Sequence, residues 1–101
     1  MSVESKLSTD NMTLVISVKG VFDFNLLNEF RRAYSDTDGS IKKVVVDMRD
    51  TTAIDSSALG MLLNMNRYLK KFEVEIYIEN CNEHVKGIFD ITHFNKIFTI
   101  E

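Results

Sequence analysis

Residues 13–19 (Thr-Leu-Val-Ile-Ser-Val-Lys) are β-branched and apolar, and Gly20 closes the run, so they predict a strand. Asp23 then stands where a helix cap belongs, because Leu26, Leu27, Phe30, Ala33 and Tyr34 recur at spacings of three and four behind it. The polar stretch 35–40 reads as a loop. Residues 43–48 (Lys-Val-Val-Val-Asp-Met) form a short apolar run of the kind expected in a central strand covered on both faces. Asp55-Ser56-Ser57 opens a second helical pattern that continues to about Lys71. Val74, Ile76 and Ile78 alternate with Glu75, Tyr77 and Glu79, the period of a third strand. Val85, Ile88 and Phe89 mark a short third helix, residues 97–100 a closing strand, and residues 3–7 a weaker strand at the start. The order β-β-α-β-α-β-α-β predicts an α/β domain, with a mixed sheet of about four to five strands packed by about three to four helices.

This order carries a functional expectation. Helices that connect parallel strands begin just past the strands' carboxyl ends. If the strands near 13–19, 43–48 and 74–79 are parallel, the helix starts at Asp23 and Ser56 share one edge of the sheet, where the loop Asn80-Cys81-Asn82 joins them. Ligands and partners of open α/β sheets usually meet the domain at that edge.

Composition narrows the class. The 101 residues suffice for one domain spanning 1–101, and 45% hydrophobic content with four glycines and no proline describes a chain rich in regular elements. A net charge of −3 argues against a nucleic-acid partner, which calls for a basic surface. A single cysteine, Cys81, excludes an internal disulfide and a thiolate cluster. The first residues lack the apolar core of a secretion signal, and no apolar run is long enough for membrane insertion, so a cytoplasmic protein is expected.

At 100° per residue, Ala58, Leu62, Met65, Leu69 and Phe72 fall on one stripe of the second helix, facing the sheet. Gly60, Asn64, Arg67 and Lys71 fall on the wet side, and Met61 and Tyr68 on a flank suited to a neighbouring helix. Leu59 and Leu63 lie on the other flank, where an i,i+4 leucine pair either packs on a neighbour or joins a partner surface. Asp55 or Ser56 is, in the plainest reading, a helix cap. A hydroxyl at a helix N-terminus is equally a good position for a phosphate, whose charge meets free N–H groups and the positive end of the helix dipole.

The segment Val44-Val45-Val46-Asp47-Met48-Arg49 followed by Ile54-Asp55-Ser56-Ser57-Ala58-Leu59-Gly60 resembles the signature of STAS domains (sulfate transporter and anti-sigma factor antagonist), and within them the small free-standing antagonists of bacteria. Gly20-Val21-Phe22-Asp23 resembles the family's Gly-x-Leu-Asp, and residues 91–100 its closing helix and strand. The resemblance implies a STAS-like fold and a phosphorylation-controlled regulator with no catalysis of its own. Ser56 matches the phosphoacceptor, Asp23, Asp55 and Ser57 the residues flanking it, and Leu59 the motif leucine, which with Ala58 and Leu63 is expected on the surface offered to a partner. Ala58 departs from the family's usual glycine. The implied partners are a protein kinase or anti-sigma factor with a histidine-kinase-like ATPase domain, and a PP2C-like phosphatase that reverses the modification. The alternative is a constitutive STAS accessory subunit of an ABC-type transport complex.

Other candidates are weaker. His84 and His93 are not at a metal-ligand spacing, and Ser56 is outside the Gly-x-Ser-x-Gly setting of a hydrolase nucleophile. Cys81 has no basic neighbour in sequence to activate it. Asp23, Asp47 and Asp55 are the carboxylates placed to gather around a magnesium ion, although such residues more often cap helices and loops, and neither metal nor cofactor is expected.

Overall fold

Strand β1 (Ser2–Leu7) opens the computed structural model, which describes residues 2–101. It folds back antiparallel on β2 (Thr13–Phe22), with Val3 opposite Val18 and Leu7 opposite Leu14. The turn between them is held by Asp10, whose carboxylate accepts from the Met12 N–H at 2.9 Å and from the Ser8 hydroxyl, while Asn11 takes the left-handed conformation at φ 59°. A 3-10 turn, Phe24–Leu26, leads into α1 (Leu27–Ser35). Strand β3 (Lys43–Asp47) pairs parallel with β2, and after a short turn β4 (Thr51–Ile54) pairs parallel with the far end of β2. Helix α2 (Ser56–Leu69) and a 3-10 turn, Lys70–Phe72, connect to β5 (Glu75–Glu79), which lies parallel to β3. Helix α3 (Glu83–Ile91) and a 3-10 turn, Phe94–Lys96, lead to the two-residue β6 (Thr99–Ile100). The sheet runs β1-β2-β3-β5-β6, with β4 joined to it through β2.

Alternation in the strands decides where the core sits. Leu14, Ile16 and Val18 of β2, Val44 and Val46 of β3, and Ile76 and Ile78 of β5 share one face by register, and all belong to the same buried cluster. The helices add Phe30 and Tyr34 from α1, Ala58, Met61, Leu62, Met65 and Leu69 from α2, and Val85 and Phe89 from α3 to that cluster. Rings of Phe22, Phe30, Tyr34, Tyr68 and Phe72 follow one another at centroid distances of 5.0–6.4 Å, joining β2, α1 and α2. The Tyr68 hydroxyl donates to the Ser35 carbonyl at 2.7 Å, fixing the end of α1 against α2. Met61 and Tyr68 thus occupy the helix-facing flank expected of them.

The structure departs from the sequence reading at several points. The central run is covered by helices on one face only. Val45 points to the opposite face, where its ladder partners Val15 and Tyr77 shield it beneath Lys43, which lies 4.2 Å from the Tyr77 ring centre. Gly20 does not end its strand. With φ 85° it forms an irregularity at which β2 changes register, its N–H bonds the Asp50 carbonyl at 2.9 Å, and the strand continues to Phe22. Strand β4 is an addition to the expected four to five. It is too short and too polar to announce itself, and Thr51 enters the core by donating its hydroxyl to the Val18 carbonyl at 2.7 Å.

Candidate functional site

Phe22 pairs with Ile54, so the residues that leave these two parallel strands, Asp23 and Asp55, emerge side by side on one rim of the sheet. Each caps a helical turn. Asp23 accepts from the Asn25 N–H at 2.9 Å and starts the 3-10 turn, whereas Asp55 accepts from the Ala58 N–H at 3.1 Å and starts α2. Asn82 caps α3 through the Val85 N–H at 2.8 Å, and its amide reaches the Thr51 and Thr52 carbonyls at 3.2 and 3.3 Å. Asp47, ending β3, accepts from the Arg49 N–H and the Asn80 side chain, each at 3.0 Å. Three helix-type starts and a strand end therefore line this rim, as the parallel order demanded, with Asn82 bonded to β4 and Asn80 to Asp47.

The two serines behind Asp55 play different parts. Ser57 is half-buried and donates its hydroxyl to Asp55 at 2.5 Å. That bond first, and the Ala58 N–H second, hold the Asp55 carboxyl below the ordinary carboxylate value. Ser56 is exposed at the first position of α2, where the backbone donors of a helix have no partner within it and the dipole is positive. A phosphoryl group placed on that hydroxyl stands in a favourable field without disturbing any buried side chain.

Apolar surface surrounds the two starts. Leu63 is 37% exposed on α2, and Leu59, one turn earlier, is half-buried against the core. Phe24 is 66% exposed directly after Asp23, and Val21 is 40% exposed near the end of β2. The helical stripe in residues 26–34 left Phe24 unassigned, and an aromatic residue off that stripe was the signal available for it. Ala58 is a correction: it is fully buried, so it packs the helix onto the sheet and offers no surface to a partner.

Residues 4–101 match the sequence profile of the STAS domain. The chain belongs to the STAS domain family. A STAS-domain containing protein of Pseudomonas aeruginosa is 36% identical over 100 residues, which are 99% of this chain and 99% of that one. The fold resembles SpoIIAA, known in two states. The unphosphorylated anti-sigma factor antagonist gives a TM-score of 0.72 at 20% identity, over 89% of this chain and 83% of that one. The phosphorylated Bacillus form gives 0.76 at 18% identity, over 99% and 91%. A sulfate transporter family protein of Wolinella succinogenes gives 0.76 at 13% identity, over 90% of this chain and 73% of that one. At these identities the structural likeness speaks for the fold.

Within this STAS domain the remaining sequence candidates are separate. Asp23, Asp47 and Asp55 each serve a different local hydrogen bond, and among the described residues no three His, Cys, Asp or Glu side chains converge. His84 and His93 are exposed at the start of α3 and beyond its end. Burial pushes the Cys81 thiol up to about 11, so it remains a poor nucleophile at neutral pH. No helix among the described residues is long and apolar enough to cross a membrane.

Proposed function

We propose that this chain, as one STAS domain over residues 1–101, is a cytoplasmic partner-switching regulator controlled by phosphorylation of Ser56, without catalysis of its own. The observation that supports it is the division of labour at the rim: Ser57 is committed to Asp55, while Ser56 stands exposed at the helix start. Unphosphorylated, the rim of Asp23, Asp55, Ser57, Leu59 and Leu63, extended by Phe24, binds a protein kinase or anti-sigma-type protein with a histidine-kinase-like ATPase domain. A phosphate close to two negative charges on Ser56 must be desolvated on docking. A cost of about 4 kcal/mol reduces affinity about a thousandfold. A PP2C-like phosphatase restores the binding form. That SpoIIAA exists in phosphorylated and unphosphorylated forms supports the same chemistry on this fold.

Affinity capture from the native cell extract with wild-type, Ser56→Ala and Ser56→Asp baits tests the proposal. The Ser56→Ala bait retains the ATPase-type partner and the Ser56→Asp bait loses it. Equal recovery on all three baits contradicts a switch at Ser56. The likeness to a sulfate transporter family protein favours a second reading, a constitutive accessory subunit of a transport complex, for which the sequence reading takes the ABC type. Recovery of a transporter ATPase on unphosphorylated bait selects that reading.

A further inference from the structure

We infer that the outer edge of β1 is a homodimer interface, on which β1 of a second copy pairs antiparallel about a two-fold axis at Ser5. Three strands of the sheet have a single neighbour, β1, β4 and β6, and β4 is only four residues long. β6 is only two residues long, whereas β1 presents six residues in unbroken register with β2. A regular edge of that length, without proline or a bulge, is a template for a further strand.

The backbone fixes which groups face outward. The Val3 N–H donates to the Glu29 carboxylate at 3.3 Å and not to β2, so Val3 turns its backbone groups away from β2. In an antiparallel ladder this orientation alternates, which places the N–H and C=O of Ser5 and Leu7 outward as well. Centring the two-fold on Ser5 lets Ser5 exchange both hydrogen bonds with its own counterpart and Val3 exchange them with Leu7 of the second copy. The outward groups of both strands are then matched.

Charge selects this register from its neighbours. With the axis at Ser5, Glu4 stands opposite Lys6 of the second copy, and Lys6 opposite Glu4. Moving the axis one residue either way leaves one of the three outward residues without a match in β1 and sets Glu4 against Glu4 or Lys6 against Lys6, and like charges directly opposite are unfavourable. Glu4 also lies 3.6 Å from Lys19 of its own chain, so it completes a row of alternating charge across the joint. On the helix-facing side Leu7, 49% exposed in the single chain, meets Val3 of the second copy. Glu29 competes for the Val3 N–H and keeps the association reversible. Because the paired strands are antiparallel, the two Ser56 rims face opposite ends of the joined sheet, and both stay open.

Six residues a side make a small interface, so the dimer is concentration-dependent. Sedimentation velocity on the full chain, across a concentration series, reads it directly. The wild-type mass is expected to rise from 11.6 kDa toward twice that value. The Glu4→Lys protein and the Lys6→Glu protein, each alone, dimerise about tenfold more weakly, because both cross-strand pairs become like-charged. Mixed in equal amounts they recover wild-type association, because the two altered edges again oppose each other in sign. A wild-type protein that stays monomeric up to about millimolar concentration overturns the inference. So does a dimer indifferent to either substitution, or a mixture that fails to recover.

Discussion

Two turns in this molecule share one chemistry and differ in what they do with it. In Asp38-Gly39-Ser40, the Asp38 carboxylate accepts from the Ser40 hydroxyl at 2.5 Å and from the Ser40 N–H at 2.8 Å. In Asp55-Ser56-Ser57, the Asp55 carboxylate accepts from the Ser57 hydroxyl at 2.5 Å and from the Ala58 N–H at 3.1 Å. Both carboxyls are held below their ordinary value, in each case chiefly by the serine two residues on. The first turn closes on the Ile41 N–H and passes into β3. The second starts a helix of 14 residues whose buried side, from Ala58 to Leu69, is anchored in the core. An Asp-x-Ser hydrogen bond is thus a general local device. What distinguishes the second turn is its middle residue, an exposed hydroxyl where the other has glycine, and the anchored helix behind it, which gives that hydroxyl a fixed position and a positive field.

Exchanging the middle residues tests this contrast most severely. Ser56→Asp, with about half the charge of a phosphate, is expected to weaken partner binding about thirtyfold, read by titration calorimetry against the captured partner. Gly39→Ser supplies the loop turn with the missing hydroxyl, and a Cβ there meets nothing within 4 Å. That variant is expected to bind the partner as the wild type does and to gain no phosphate at position 39. Phosphate at position 39 would show that the turn alone is enough and the helix start irrelevant.

Removing the carboxylates gives a smaller effect. Asp55→Ala strips the cap from a helix that carries much of the core, whereas Asp38→Ala loosens a surface loop. Thermal unfolding is expected to show a lower midpoint for Asp55→Ala than for Asp38→Ala. The smallest effect is that of pH. Both carboxyls titrate below the ordinary 3.8 in the folded chain, so the unfolded chain binds more protons as the solution acidifies. Their contribution is complete above about pH 3.8 and is lost as pH falls through the folded values, with no change between neutral and mildly acidic solution. Urea midpoints measured against pH check this, and Asp55→Asn is expected to shallow the acid limb.

Much of the fold was legible because its signals are local. The β-branched runs that became β2 and β3, the alternation in β5 and the caps at Asp23 and Asp55 all act within a few residues. β4 was not legible, since Thr51-Thr52-Ala53-Ile54 is a strand only by virtue of Gly20, Val21 and Phe22 beside it and the Val18 carbonyl that takes the Thr51 hydroxyl. The one-sided covering of β3 was hidden for a related reason: Val45 is shielded by residues distant in sequence, Val15 and Tyr77. At the site, the motif pointed to Ser56 and the topology to a shared rim. Ala58 had been placed by helical angle on the core stripe and by resemblance on the partner surface, and burial decides for the core. Phe24 escaped because its exposure follows from a single 3-10 turn, Phe24–Leu26, inserted before α1.

The central claim is that one exposed hydroxyl, on Ser56, is the modified group. Mass-spectrometric mapping of phosphate on the chain isolated from its own cells, under growth conditions that vary its partners, measures this directly. The expected result is a phosphorylated fraction carrying its phosphate on Ser56, absent from the Ser56→Ala protein. Phosphate on Ser57 or elsewhere, or none under any condition, contradicts the account.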